Sequence, residues 1–494
     1  MKWLISLVAC VAAVPATAQQ VAFEDVSHNL PPHVYAGGWE HFVGGGVAVF
    51  DCNGDALPDV FAAGGDTPAA LFVNAGDMQF DAASLPEMTA VTGAYPIDIN
   101  GDSLLDLMVL RVGENLVLQG DGACGFSVAN ARWGYDGGDA WTTAFSATWH
   151  EGVLVTVEGN YVDRSDPKGP FEACDDNRLL RWHSAEVAVQ SLAPGYCALS
   201  ALFARDASGT TRLRLSNDRH YYVRNGAEQL YDLEKGRFLG PQDGWDTIRL
   251  WGMGIASRDI TGDGRAEVML TSMGDQLMQI AQADGKYARA PYGLGTYAQR
   301  PHLGDDGRPS TGWHAEFADV NNDARPDLFI AKGNVDQMPG LAMEDPNSLL
   351  IQQADGTFTE MSIEAGVATT ARSRGAALAD FDLDGRLDLV VLNRRAPLEI
   401  YRNITPQTGN WLRVSLAMDG PNTYAIGAVI EVSAGDIGQT QEVTVGGGHA
   451  GGQAGPNHFG LSQAETAQLR ITWPDGHVTE HADVVAGQSV ILRR

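Results

Sequence analysis

Asp380-Phe381-Asp382-Leu383-Asp384-Gly385-Arg386-Leu387-Asp388 places carboxylates at positions one, three, five and nine of a nine-residue loop. The pattern recurs as Asp51, Asn53, Asp55 and Asp59; as Asp98, Asn100, Asp102 and Asp106; as Asp259, Thr261, Asp263 and Glu267; and as Asp319, Asn321, Asp323 and Asp327. Alternate oxygen-bearing side chains in a tight loop converge on one point, which suits a hard cation. Calcium accepts six to eight oxygens at about 2.3–2.6 Å in irregular shells, whereas magnesium demands a small octahedron and keeps its waters. Up to five Ca2+ ions are therefore expected, one per loop. An EF-hand is excluded, because it needs a Glu at position twelve and flanking helices. Here the flanks read as strands: Gly44-Gly45-Gly46-Val47-Ala48-Val49-Phe50 enters the first loop, and Leu389-Val390-Val391-Leu392 leaves the last. A polar hairpin turn, which Asn and Gly favour, explains one copy but not five that share positions one, five and nine.

The spacing of the loops sets the architecture. Their starts lie 47 residues apart between 51 and 98, 60 between 259 and 319, and 61 between 319 and 380. The 161 residues between 98 and 259 leave room for two further units. Ala144 to Val157 reads as a hairpin whose turn has lost the alternating carboxylates of the loop pattern, and Ser200 to Leu215 keeps Asp206 and Ser208 but replaces the later ligands with Thr and Arg. Seven units follow, five of them able to bind metal. Each loop hairpin is followed by a second one, as in Ala70 to Asp77 and Leu349 to Phe358. Four short strands per unit indicate an all-β, seven-bladed β-propeller, whose radial closure removes exposed strand edges. A β-solenoid is disfavoured because its turns are much shorter. Val21 to Val26 reads as a lone strand ahead of the ring.

Asp-x-Asn-x-Asp-x-x-x-Asp with Gly-Ala or Gly-Val just upstream resembles the FG-GAP or VCBS repeat, which builds the propeller of integrin alpha chains. The resemblance covers residues 22–405 and implies calcium in the loop between the first two strands of a blade, on one face of the disc. Thr261 and Glu267 depart from the pattern. After a linker at Thr405-Pro406-Gln407-Thr408-Gly409, residues 410–494 form a small β-rich C-terminal domain. Strands are expected at Trp411–Leu416, Ile426–Val432, Gln441–Val445 and Leu469–Trp473, with a Gly-rich loop from Gly446 to Gly455. Asn410-Trp411-Leu412, Ala425-Ile426-Gly427-Ala428, His458-Phe459-Gly460-Leu461 and Trp473-Pro474-Asp475-Gly476 are similar to the ASPIC/UnbV domain. Propeller plus this tail is the architecture of the cartilage acidic protein family and its bacterial relatives.

Met1-Lys2, apolar Trp3 to Val14 and Pro15-Ala16-Thr17-Ala18 read as a signal peptide over residues 1–18, so a secreted or periplasmic protein is expected. Leu7-Val8-Ala9-Cys10 offers a lipoprotein anchor at Cys10 as the lesser alternative. No later stretch is long and apolar enough for a membrane span. A net charge of −29 argues against nucleic acid and anionic membranes as partners. Cys52, Cys124, Cys174 and Cys197 form an even set consistent with disulfides. Of three connectivities, Cys52 with Cys124 and Cys174 with Cys197 is expected, because the latter pair closes a short segment.

Catalytic signals are sparse. No Gly-x-Ser-x-Gly elbow occurs, and the calcium loops absorb most paired carboxylates. His449 and His458 flank the Gly-rich loop and His477 follows the last turn; the reading favoured is that His458 supports a structural motif and the others face solvent. Trp133, Trp141, Trp149, Trp251 and Trp313 could stack on sugars, although blade packing is the commoner role. Asn403-Ile404-Thr405 is a glycosylation sequon, expected to be silent. The sequence therefore points to a monomeric calcium-binding scaffold for binding or adhesion to extracellular protein or glycan partners. The face opposite the calcium loops, or the Gly-rich tail loop, would meet the partner. The alternative is an enzyme acting on a polysaccharide or secondary metabolite, with its site in the propeller channel or at the propeller–tail junction. No catalytic residue can be named.

Overall fold

The computed structural model describes residues 20–165, 173–183, 186–218, 226–297 and 307–494. The signal peptide over residues 1–18 and the anchor at Cys10 lie outside the described residues.

Seven four-stranded antiparallel units form a closed ring. Their innermost strands are Val47–Phe50, Val91–Ile97, Ala140–His150, Ala198–Arg205, Gly252–Arg258, Gly312–Ala318 and Arg372–Ala379. Each packs on the next, and the last packs on the first. Strand two of each blade follows its loop: Asp59–Ala62, Asp106–Gly113, Val153–Asn160, Thr211–Asn217, Glu267–Ser272, Asp327–Lys332 and Asp388–Arg394. The two units without a full loop are therefore genuine blades. Both faces of these inner strands are buried, so they carry near-continuous apolar runs such as Val47-Ala48-Val49-Phe50. Apolar contacts run from blade to blade: Val60 and Phe61 of blade one cluster with Leu107 and Val109 of blade two and Val390 and Leu392 of blade seven.

The lone N-terminal strand has a definite task. Phe23–Asp25 pairs antiparallel with Tyr401–Asn403 and supplies the outermost strand of blade seven, closing the ring non-covalently between its two ends. The expected linker is pinned as well. Thr405 Oγ1 accepts the Ala22 N–H at 3.1 Å, and the Gly409 N–H donates to Asn321 O at 3.1 Å.

In the tail, Asn410–Ala417 lies between Asn457–Ser462 and Gln488–Arg493, while Ile437–Glu442, Val429–Ala434, Thr466–Thr472 and Val478–Val485 make a second sheet. Leu412, Val414, Ile430, Phe459, Ile471 and Trp473 fill the space between them. Two strands differ from expectation. The one foreseen over Ile426–Val432 begins only at Val429, because Ala425 (φ 52°) and Gly427 (φ 90°) turn the chain. The one foreseen over Gln441–Val445 ends at Glu442, where the chain leaves for the propeller channel.

Candidate metal-binding loops and the filled channel

All five loops connect the first two strands of their blades, on one face of the ring. Position one nucleates each loop by accepting backbone N–H groups two to five residues ahead. Asp51 Oδ1 takes Gly54 N–H at 2.7 Å, Asp98 Oδ1 takes Gly101 N–H at 2.7 Å, and Asp259 Oδ1 takes Gly262 N–H at 2.8 Å. Asp319 Oδ2 accepts Ala324 N–H at 2.7 Å, and Asp380 Oδ2 accepts Gly385 N–H at 2.9 Å. At position three, Asn53, Asn100 and Asn321 donate Nδ2 to the position-five carboxylates of Asp55, Asp102 and Asp323 at 2.9, 2.9 and 3.1 Å. Thr261 is exposed instead. Position five then accepts the N–H two residues on, as Asp263 does from Arg265 and Asp384 from Arg386, both at 2.9 Å.

Position nine does a job that the spacing did not reveal. Asp59, Asp106, Glu267, Asp327 and Asp388 are fully buried. Each carboxylate ties the loop to strand three by accepting two backbone N–H groups. Asp59 holds Cys52 and Asn74, Asp106 holds Ile99 and Gly120, and Glu267 holds Ile260 and Ala281. Asp327 holds Val320 and Gln352, and Asp388 holds Phe381 and Asn403. Burial, partly opposed by those N–H groups, raises Asp59, Asp106 and Glu267 to about 7, and burial raises Asp327 and Asp388 well above the usual range.

The blade-seven loop fits a cation best. One carboxylate oxygen each of Asp380, Asp382 and Asp384 lie within 4.8 Å of one another. Asp388 is not in that group. Asp380 is buried, and its Oδ1 has no hydrogen-bond partner. Burial raises the Asp380 carboxyl to about 6, against the pull of the Arg413 charge. Arginines lie around the loop: Arg413 Nη1 donates to Asp380 Oδ2 at 3.0 Å, Arg402 Nη2 is 2.6 Å from Asp382 Oδ2, and Arg386 pairs with Asp384. Arg265 and Arg325 fold back on Asp263 and Asp323 in the same way. In blade four the cation is built in, since Arg212 pairs with Asp206 and its Nε lies 3.3 Å from Asp232 Oδ2.

The tail docks on this loop face. Thr423 Oγ1 donates to Asp98 Oδ2 at 2.5 Å, Arg413 reaches Asp380, and His458 Nε2 lies 2.7 Å from Asn322 Oδ1. The Ser462 N–H donates to Asn322 O at 2.9 Å, and the Arg205 N–H to Glu442 Oε2 at 2.8 Å.

The Gly-rich loop was expected to be available to a partner. Instead it runs down the propeller channel, past blade after blade. Ala147 N–H of blade three donates to Val445 O at 3.1 Å, while the Gly447 and Gly448 N–H groups donate to Ala201 O and Ile255 O of blades four and five at 2.7 Å. The His449 N–H meets His314 Nδ1 of blade six at 3.2 Å, and Gly452 donates to Ala94 O of blade two at 3.2 Å. Gln453 and Ala454 pair in parallel with Val49 and Phe50 of blade one. The segment thus satisfies its buried polar backbone with the ring's inner strands. Glycine is needed on both sides: a Cβ on Gly46 or Gly93 would fall 1.9 or 1.6 Å from Ala450 O. An enzyme site in an open channel is therefore corrected, because the channel is filled by the chain's own backbone.

The histidine expectations divide. His477 is exposed, as expected, and His458, expected only to support a structural motif, is buried against Asn322 at the junction of tail and ring, but His449 is fully buried rather than solvent-facing. Its Nε2 accepts the Gly44 N–H at 3.2 Å, and its ring lies 4.9 Å from that of Trp313. Burial first, then the Arg374 and His314 charges, lowers His449 to about 3, so it stays neutral. Trp141 and Trp313 are buried in packing. Asn403 is buried and donates Nδ2 to Val320 O and Leu387 O, so the sequon is closed to glycosylation in the folded chain. Cys52–Cys124 and Cys174–Cys197 are both formed, with Cα separations of 4.8 Å; such bridges persist in oxidising compartments. No described helix is long and apolar enough to cross a membrane.

Sequence signals for the position-nine clamp and the plug were faint. The first lay in an invariably acidic ninth position, and the second in glycines that recur both before the loops and in the tail.

The FG-GAP-like repeat family matches residues 51–109 and 333–391, and the ASPIC and UnbV family matches residues 418–494. Cartilage acidic protein 1 of Xenopus tropicalis is 24% identical over 252 residues, covering 49% of this chain and 36% of that protein. The chain is a homologue of cartilage acidic protein 1 that carries FG-GAP-like repeats and an ASPIC/UnbV domain. The Homo sapiens protein is 26% identical over 175 residues, covering 35% of this chain and 26% of the relative. The match thus spans only about a quarter to a third of the length of these relatives. Among solved structures, BBS1N in complex with ARL6DN overlays at a TM-score of 0.48 with 10% identity, covering 80% of this chain and 99% of that one. The BP39L lectin from Burkholderia pseudomallei overlays at 0.43 with 11% identity, covering 90% and 99%.

Proposed function

We propose that this FG-GAP-repeat homologue is an exported, calcium-binding propeller that serves as a scaffold for protein or glycan partners outside the cytoplasm. The tail's occupation of both the loop face and the channel carries this reading. It leaves the opposite face as the broad surface open to a partner, and it makes the ring a fixed support. Calcium in this reading is structural. Asp380, Asp382 and Asp384 would supply oxygens in blade seven, and positions one, three and five would do so in the loops beginning at Asp51, Asp98, Asp259 and Asp319. The ions would neutralise carboxylates that otherwise repel one another, and so rigidify the loop face under the tail.

The test is thermal unfolding of the full chain after chelation and after calcium is restored, followed by binding to immobilised matrix proteins and surface glycans. Calcium should raise the melting temperature and the protein should retain at least one such partner. Unchanged melting and no retention would overturn the proposal.

A further inference from the structure

On the face opposite the loops, four arginines of blade seven gather with few carboxylates beside them. Arg372 and Arg374 lie at the start of the inner strand of blade seven, Arg394 ends its second strand and Arg395 follows in the turn, all at the end away from the Asp380 loop. Arg374 and Arg394 are 0% and 1% exposed. Arg374 has no carboxylate within ion-pair reach among the described residues. Its donors go to carbonyls of Phe42, Ser373, Arg372, Asn334 and Val335, and its guanidinium lies 4.1 Å over the Trp313 ring. Arg394 donates to the carbonyls of His41, Gly37 and Gly38 and to Asp336.

One carboxylate serves the cluster. Asp336 Oδ1 lies 2.7 Å from Arg394, 3.2 Å from Arg395 and 3.9 Å from Arg372. Nearby acids have partners of their own: Asp66 sits 3.0 Å from His41, while Glu40 and Asp139 hold Arg164 at 3.5 and 3.2 Å. Three guanidiniums thus share one acid while the buried Arg374 has none in reach among the described residues, and the side chains of Arg372 and Arg395 remain 27% and 44% exposed. A buried cation without a counter-charge is costly, and its field attracts an anion to the nearest accessible donors.

Asp336 shows which group fits, since the planar carboxylate matches the guanidinium fork. The surroundings limit how densely such groups can be spaced on a partner. A polymer with charge on every unit would be repelled by a chain of net charge −29. A mostly neutral, hydroxyl-rich chain with widely spaced carboxylates would not, and it would suit a mouth bordered by backbone carbonyls and the 47% exposed Trp39. Resting on the scaffold reading above, we infer that the channel mouth opposite the loops is a binding site for a sparsely carboxylated polysaccharide, held between Arg372 and Arg395.

The test uses the full chain in calcium buffer and two immobilised dextrans, one plain and one carrying a few carboxymethyl groups per chain, with a polyglutamate peptide as a third surface. Retention on carboxymethyl-dextran alone, lost at high salt, is expected. The double variant Arg372→Gln, Arg395→Asn should weaken it at least about tenfold, as loss of rim and bidentate charge contacts does. Asn is chosen because residue 395 has φ 58°, which Asn tolerates. The variant's melting temperature should match that of the parent, which separates lost binding from lost folding. Equal retention on plain dextran, stronger retention on polyglutamate, or undiminished binding by a folded variant would each overturn the site. A protein whose melting responds to calcium but which ignores carboxymethyl-dextran would overturn this inference while leaving the scaffold reading intact.

Discussion

The loop of blade seven and its counterpart in blade four occupy the same place in their blades and neutralise charge in opposite ways. In blade seven, Asp380, Asp382 and Asp384 gather their oxygens within 4.8 Å, and Asp380 keeps one buried oxygen unpaired. In blade four only Asp206 remains, Arg212 pairs with it, and the ninth position has become Arg214, which donates to Gln279 Oε1 at 2.9 Å. Carboxylates packed under a domain need a positive partner. In blade four Arg212 supplies it to the one remaining carboxylate, whereas blade seven sets Arg386, Arg402 and Arg413 around three carboxylates and leaves one Asp380 oxygen unpaired, the place where the scaffold reading proposes an ion.

The largest effect separating the two should come from position nine. Asp388→Ala would leave the buried Phe381 and Asn403 N–H groups unsatisfied, costing about 2–4 kcal/mol in urea unfolding. A cost that vanished on chelation would mean that Asp388 acts through an ion alone. Next comes the buried Glu228 of blade four, whose carboxyl burial raises to about 8. Because its pKa is raised on folding, its stabilisation is present below the ordinary Glu range and is lost as pH rises through about 8. Glu228→Gln should therefore flatten the melting profile between roughly pH 5 and 8, by about 2 kcal/mol at the alkaline end. A variant as pH-sensitive as the parent would discount that group. The smallest effect is expected for Arg212→Ala, about 1 kcal/mol, because the side chain is partly exposed and Lys235 still lies 3.9 Å from Asp232. That loss should be the same with and without calcium. A calcium-dependent loss would erase the distinction between the two blades.

Much of the fold was legible because its signals are local. The period of the Asp loops located five blades, and the hairpins of Ala144–Val157 and Ser200–Leu215 supplied the other two. The ring's closure by Phe23–Asp25 was not legible, because a three-residue strand carries no mark of a partner almost 380 residues away. The channel plug was hidden for a related reason. Its contacts are backbone to backbone, between glycines such as Gly46 and Gly93 and the carbonyl of Ala450, and glycine advertises freedom rather than a destination. His449 looked solvent-facing for the same cause, since only the plug's path buries it. Within the loops, ligand types were readable, but the link from position nine to strand three joins residues such as Asp388 and Asn403 that no spacing rule connects. Arg413 entered the blade-seven loop from a different domain, beyond any local motif.

Calcium occupancy of these carboxylate loops is what makes the ring a fixed scaffold in the proposed reading. The direct measurement is calorimetric calcium titration of the chelator-stripped full chain, beside the variant Asp382→Asn, Asp384→Asn. The parent should bind calcium, up to five ions, with its melting temperature rising as the ions load, and the variant should bind one ion fewer. No heat of binding and an unmoved melting temperature in the parent would contradict it.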